Sequence, residues 1–296
     1  MPTIALPVRG VLWMVLAAFC FAVTIGFVRS LSASYTVFEI VLIRQVIGTA
    51  LMLPWLLRIG AGGLRTQRFG LHCARAVGIY GAVYASYLSA VMISLADSTA
   101  LQFTLPMFTI LFAVVFLKER VGAHRWVATG LGFAGMLLIV RPGFAEVSAG
   151  MLVAIAAAAM FGASDVATRY LTGRESTGAV VFWGYFLQLP ISIVVAIPDM
   201  KMPPLDDVPT ILAFSLAAFG AQWFLTKAFA DADATLVSPV LFLRLPFVSV
   251  IGWFFFAEAP EAWTWIGAAV IVLGTWYGAQ REAAQHRAAR QAQPGR

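Results

Sequence analysis

Apolar residues run in long blocks along this chain, and polar residues separate the blocks at intervals of about one membrane-crossing helix. Crossing a hydrocarbon layer as helix takes about 20 apolar residues, because each backbone polar group must be satisfied inside the segment. The pattern predicts ten spans, near 9–30, 36–58, 73–93, 97–117, 123–141, 148–170, 177–197, 208–230, 234–257 and 262–280. Most connections are short and carry helix-ending residues, as in Arg141-Pro142-Gly143 and Pro203-Pro204. Residues 281–296, rich in Ala, Gln and Arg, are expected to fray into water as a disordered tail. The first apolar block shows no small-residue cleavage site and reads as an uncleaved helix.

Composition turns a helical reading into a membrane one. Of the 296 residues, 61% are hydrophobic and 11% charged, and the mean hydropathy is +0.87. Soluble domains average roughly 45–50% apolar and about 25% charged. One soluble core of this length cannot bury that excess, so lipid must cover it. The net charge of +6 does not mark a nucleic-acid binder, because the basic residues sit between apolar blocks and in the tail. They sort by side instead. With a cytoplasmic N-terminus, fifteen Lys and Arg fall on the cytoplasmic side, and three, Arg29, Arg141 and Lys201, on the other; Arg44 and Arg244 lie inside spans. The positive-inside rule then predicts an inner-membrane protein with both termini cytoplasmic and an even number of spans.

The chain also repeats itself. The run from Ala18 to Leu31 aligns with the run from Ala158 to Leu171, an offset of 140, and Leu105-Pro106 aligns with Leu245-Pro246. One residue is then lost, and Glu119, Trp126 and Gly135 align with Glu258, Trp265 and Gly274. Two copies of five spans, residues 1–143 and 144–280, must insert with opposite orientation because five is odd. Inverted repeats recur among secondary transporters, with the solute site at the midplane between the halves.

The first copy closes on Lys118-Glu119-Arg120, Trp126, Gly130, Gly132, Gly135 and Arg141-Pro142-Gly143. With Arg44 in the second span and ten spans in all, the chain resembles the EamA-type branch of the drug/metabolite transporter superfamily over roughly residues 9 to 280. The resemblance implies a central cavity lined by the third, fourth, eighth and ninth spans, with help from the first and sixth. The second copy departs from the pattern, because Gly184 stands where Arg44 would fall.

Ionisable groups inside a span are costly and rarely face lipid, so each is a functional candidate. Arg244 sits mid-span beside Pro246, which leaves the Phe242 carbonyl without its helical donor; Pro106 does the same to Gln102. Paired broken helices at matching repeat positions point to a transporter site. Arg244 is therefore a candidate for receiving a carboxylate or other anionic group, against the alternative of an internal pairing with Asp165 or a backbone carbonyl that locks packing. Arg44 is a second candidate, with a helix-locking role as its alternative. Glu39 reads as a solvated rim residue.

Asp165 is the candidate coupling or gating acid, because a carboxylate in a low-dielectric site takes up a proton more readily; its alternative is a partner for a neighbouring basic or hydroxyl group such as Thr168. Tyr80, Tyr84 and Tyr87 share one face of the third span. Tyr80 and Tyr84 read as cavity wall, while Tyr87 also suits the interfacial belt. Gln102, Gln222 and Trp223 complete the polar or amphipathic candidates, with Thr104 as interhelical glue. Gly130, Gly132 and Gly135 are expected to allow close helix packing, and Trp126, Trp263 and Trp265 to anchor at the interfaces.

Cys20 and Cys73 lie far apart, and no His/Cys spacing predicts a metal site; His72, His124 and His286 fall in predicted loops or the tail. No phosphate-cradling G-x-x-x-x-G-K-[ST] occurs, and no cofactor is expected. The reading is an all-α integral membrane protein of ten transmembrane helices, two inverted five-helix repeats around a central cavity. It would carry a small polar or zwitterionic, amino-acid-like or ring-bearing metabolite by alternating access, with a proton as candidate coupling partner. Its rivals are a broad exporter of lipophilic cations or drugs and, more remotely, an enzymatic or non-transporting membrane protein.

Overall fold

The computed structural model describes residues 6–59, 66, 68–117, 123–141, 146–172, 177–231 and 238–291. Lys118-Glu119-Arg120, Pro142-Gly143 and the last five residues of the expected tail lie outside them. Among the described residues the protein is all helix. The helices are α1 (Leu6–Leu31), α2 (Val37–Ile59), α3 (Phe69–Met92), α4 (Leu95–Gln102), α5 (Leu105–Leu117) and α6 (Ala123–Val140). They continue with α7 (Ala149–Thr172), α8 (Thr177–Ala196), α9 (Val208–Asp231), α10 (Arg244–Phe256) and α11 (Ala262–Gln291). A 3-10 turn, Ser238–Leu243, leads into α10.

Among the described residues, six stretches are long and apolar enough to cross a membrane: Val8–Leu31, Val37–Arg58, Leu95–Phe112, Ala149–Ala167, Phe182–Asp199 and Leu205–Leu225. Trp126–Val140 and Val240–Phe256 are shorter apolar helices. The helices pack side by side in preferred pairs: α1 on α9, α3 on α7, α6 on α11 and α2 on α8. The glycines set how close one pair comes. A Cβ on Gly135 would stand 2.6 Å from the Gly267 carbonyl oxygen, so α6 and α11 touch backbone to backbone there. A Cβ on Gly130 would meet nothing, and that glycine plays no part in the seam.

Both proline-marked segments are broken, for the reason their chemistry dictates. Pro106 has no N–H for the Gln102 carbonyl. The chain tightens instead, with Phe103 and Thr104 donating to the Ala100 and Leu101 carbonyls at 3.1 Å, and α5 starts afresh at Leu105. Pro246 acts alike: the 3-10 turn ends at Leu243 and α10 begins at Arg244.

One end of the bundle is cross-linked by polar groups. Arg29, at the end of α1, donates to the Val91 carbonyl at 2.6 Å, to the Ile93 carbonyl at 3.0 Å and to Glu258. Glu258 also accepts the Leu95 N–H at 2.8 Å. Ala257, in the left-handed region at φ 54, turns the chain after α10 so that Glu258 reaches back. Arg141 pairs with Glu261, and Thr264 donates to Asp97. Tyr35 donates to Asp207 at 2.6 Å, and that hydrogen bond pushes the Tyr35 phenol up to about 12. At the opposite end, Asp231 accepts from Trp13 at 3.1 Å and pairs with Arg9 at 3.4 Å.

Several expectations are corrected. Glu39 is 3% exposed rather than solvated. It closes a capping box with Thr36, whose N–H it accepts at 2.8 Å, and it accepts the Lys201 N–H at 2.9 Å. His72 lies inside α3, which starts earlier than predicted, and is 1% exposed beside Trp183. The Ala-rich stretch after Arg281 is helical to Gln291, in keeping with the helix propensity of Ala, Gln and Arg.

Candidate functional site

The predicted candidates divide into a group that the fold gathers and a group that it scatters. Tyr80 and Tyr87 are buried on the inner face of α3, in one apolar cluster with Ile40 and Val41 of α2 and Val248 of α10. Tyr84 stacks on Phe38 of α2, with ring centroids 4.3 Å apart, and Tyr87 meets the edge of Phe214 on α9 at 6.1 Å. Tyr87 therefore belongs to the interior and not to the interfacial belt. The Tyr80 hydroxyl is buried with no hydrogen-bond partner among the described residues.

Arg44 lies about 10 Å along α2 from its first residue, at about 1.5 Å of rise per residue. Its Nη1 donates to Gln45 at 3.3 Å, and its guanidinium sits 5.7 Å from the centre of the Tyr185 ring. Gln45 in turn donates to the Tyr185 carbonyl at 3.3 Å, which ties α2 to α8. Arg244, the first residue of α10, sits 5.4 Å from the centre of the Phe21 ring on α1. Its Nε is buried without a hydrogen-bond partner among the described residues. Both guanidiniums act electrostatically on the Tyr87 phenol. Among the described residues, neither has a carboxylate partner.

The remaining candidates stand apart from this cluster. Gln102 accepts from Ser86 at 2.9 Å and donates to Ser98 at 3.3 Å, so its amide is spent on the α3–α4 contact. Trp223 is 51% exposed, on the face of α9 opposite its buried stripe, stacked on Phe219 and under the Lys227 ammonium. Gln222 is half-buried next to it. Asp165 is exposed on α7, and its partner is not Arg244: Arg75 of α3 feels its charge. The Arg75 guanidinium fills the space that a side chain on Gly184 would need, 3.1 Å from an added Cβ. Pro106 and Pro246 sit in the first turns of α5 and α10.

Sequence reasoning missed Phe21, Arg75 and Tyr185 as neighbours of the candidates. For Tyr185 a signal was present, because the offset of 140 maps Gln45 onto it. Equivalent positions on two repeat-related helices meet when those helices pack together, as α2 and α8 do. Phe21 and Arg75 left no such trace.

The description of the EamA-like transporter family matches residues 8–141 and, a second time, residues 148–277. The chain belongs to the EamA-like transporter family. Among curated relatives, it is 31% identical over 287 residues to a riboflavin transporter of Vibrio cholerae, covering 95% of this chain and 96% of that one. It is 34% identical over 272 residues to the pseudopaline exporter CntI of Pseudomonas aeruginosa, covering 89% and 93%. A solved crystal structure superposes with a TM-score of 0.63 over 94% of this chain and 98% of that chain. At 17% identity it shows a shared fold alone. This EamA-like chain is thus a multi-pass membrane protein and a small-metabolite transporter rather than an enzyme.

Proposed function

We propose that this protein is a secondary transporter of the inner membrane that moves a small polar or zwitterionic, ring-bearing metabolite by alternating access. The observation that carries the reading is the gathering of Arg44, Tyr80, Tyr84, Tyr87 and Arg244 inside the bundle, donated by both family-matched segments. Tyrosine rings suit stacking on a flat solute, their hydroxyls suit its polar edge, and guanidiniums suit carbonyl or acid oxygens. Riboflavin, a flat ring system with a polyol chain and the named cargo of a relative, is the first probe.

The alternating-access part rests on two inverted five-helix repeats, residues 1–143 and 144–280, around the site. The packing supports this. Exchanging each segment for its counterpart five spans on turns the α1–α9 contact into α3–α7 and leaves α2–α8 and α6–α11 in place. The same exchange turns the Gly135–Gly267 approach into one between Gly274 and Ala128, where an added Cβ would stand 3.2 Å from the Ala128 carbonyl oxygen. Both termini are cytoplasmic, so the cross-linked end carrying Arg29 and Glu258 faces outward and is shut. Asp165, beside Arg75 and away from the arginines of the site, is the acid through which a proton couples.

Counterflow of labelled riboflavin in proteoliposomes tests the reading. Exchange above that of empty liposomes, lost in Arg244→Gln, is the expected result; no exchange of riboflavin, amino acids or other ring-bearing metabolites would overturn it. An exporter of lipophilic cations fits less well, because two guanidiniums that pair with no carboxylate among the described residues repel a cation.

A further inference from the structure

We propose that Arg44 and Arg244 act together as an oxyanion seat, so that the cargo carries a carboxylate or phosphate group beside its ring. The inference rests on the solute-site reading above and narrows its chemistry. Each guanidinium lies over an aromatic ring, Tyr185 for Arg44 and Phe21 for Arg244. A ring beneath the plane of a guanidinium eases its desolvation and leaves its edge N–H groups for a planar partner. A ring brings no negative charge, and among the described residues no carboxylate pairs with either group.

Among the described residues, the carboxylates of Glu39, Glu258 and Asp165 are engaged elsewhere. Glu39, on the same helix as Arg44, receives the N–H groups of Thr36 and Lys201. Glu258 holds Arg29, and Asp165 answers Arg75. The donor inventory agrees. Among the described residues, Arg44 makes one hydrogen bond, at 3.3 Å to neutral Gln45, and the Arg244 Nε has no acceptor. Buried donors without acceptors are rare in native proteins and call for a ligand or water at that point. Ile43 and Phe247, on the helices of Arg44 and Arg244, pack against the same buried cluster as Tyr87, whose phenol both guanidiniums influence and whose O–H can donate to an oxyanion. The two arginines come from different family-matched segments, α2 in one and α10 in the other. An anion held by both would therefore bridge the halves of the protein.

Three probes with one ring isolate the charge: riboflavin, riboflavin 5′-phosphate and the flavin whose N10 chain is a carboxymethyl group. Each is titrated against the purified full-length protein in lipid nanodiscs by quenching of flavin fluorescence. At least one anionic flavin is expected to bind about tenfold or more tighter than riboflavin, as charge-assisted hydrogen bonds imply, and which one binds tells phosphate from carboxylate. Arg44→Gln and Arg244→Gln should each erase that preference, and Arg244→Lys should restore part of it. Equal binding of neutral and anionic flavins by the wild-type protein would overturn the seat while leaving the ring-binding site standing. A second measurement separates the two ideas from the other side. Oxalate or inorganic phosphate should raise the melting temperature of the wild-type protein above that in chloride of equal ionic strength, and should not do so in either Gln variant. If these anions act through the arginines and no flavin binds, the ring-bearing cargo is wrong and the seat stands. If the anions also have no arginine-dependent effect, the seat is wrong.

Discussion

Arg29 and Arg141 lie at one end of the bundle, and Arg44 and Arg244 lie within it; the same side chain does different work in the two places. At the end, each arginine meets a glutamate, Glu258 or Glu261, and Arg29 also holds two backbone carbonyls. Inside, each arginine meets an aromatic ring and, among the described residues, no carboxylate. A basic residue at the centre of a membrane helix costs roughly 2.5–3.5 kcal/mol on insertion scales. A cation–π contact returns about 0.5–2 kcal/mol. Both end arginines have a carboxylate to meet their charge, although Arg141, like Arg244, lies over an aromatic ring and keeps a buried Nε with no hydrogen-bond partner among the described residues. The inner pair has no such counter-charge among the described residues, and the proposed anion would supply it.

That difference predicts opposite signs for the two regions. Arg244→Gln should lower transport of the cognate solute about tenfold or more, the loss expected for a charge-assisted contact, while the melting temperature holds or rises. Glu258→Gln should do the reverse. It strips the Arg29 guanidinium of its counter-charge and lowers stability by about 1 kcal/mol, the scale of a partly exposed pair. It should also open the cross-linked end, read as faster labelling by a membrane-impermeant thiol reagent of a cysteine placed at Ser94. A destabilised Arg244→Gln, or a Glu258→Gln protein labelled no faster, would erase the contrast.

Asp165→Asn should flatten the pH dependence of uptake without touching the preference for anionic solutes, because Asp165 faces Arg75 and not the inner arginines. A smaller effect concerns the turn that delivers Glu258. Ala257 holds a left-handed conformation that glycine adopts without strain. Ala257→Gly should therefore stabilise the protein by about 0.5–1 kcal/mol, measured as a rise in melting temperature. At Tyr35 the sign is set by its raised pKa. The link to Asp207 contributes fully below about pH 10 and is lost as pH rises through about 12, which a titration of tyrosinate absorbance in wild type and Tyr35→Phe would follow.

Features that a residue imposes on its own backbone were legible in the sequence. Pro106 and Pro246 break their segments wherever the chain goes, because the missing N–H is a local fact. Gly135 could be read as a close-packing position, since small residues admit a neighbouring backbone. The Thr36–Glu39 capping box was equally visible, yet the position of Glu39 near a span end favoured a solvated reading. Long-range partnership was not legible. Nothing near Arg75 announces Asp165 or Gly184, and nothing near Arg29 announces Glu258. Tyr87 shows the same limit on a smaller scale: depth along a helix suggested the interface, but which neighbours cover that face decides it. Trp223 lies on the opposite face of α9 from the buried stripe, and its neighbour Gln222 is half-buried.

Counterflow exchange compared across the two regions tests the central claim most directly, because exchange needs the solute site and does not need a tightly shut end. With riboflavin and its anionic analogues in proteoliposomes, Glu258→Gln should exchange the cognate solute at close to the wild-type rate, and Arg44→Gln and Arg244→Gln should fall to the rate of empty liposomes. Wild-type exchange by both inner-arginine variants would show that these side chains serve the fold and not the cargo.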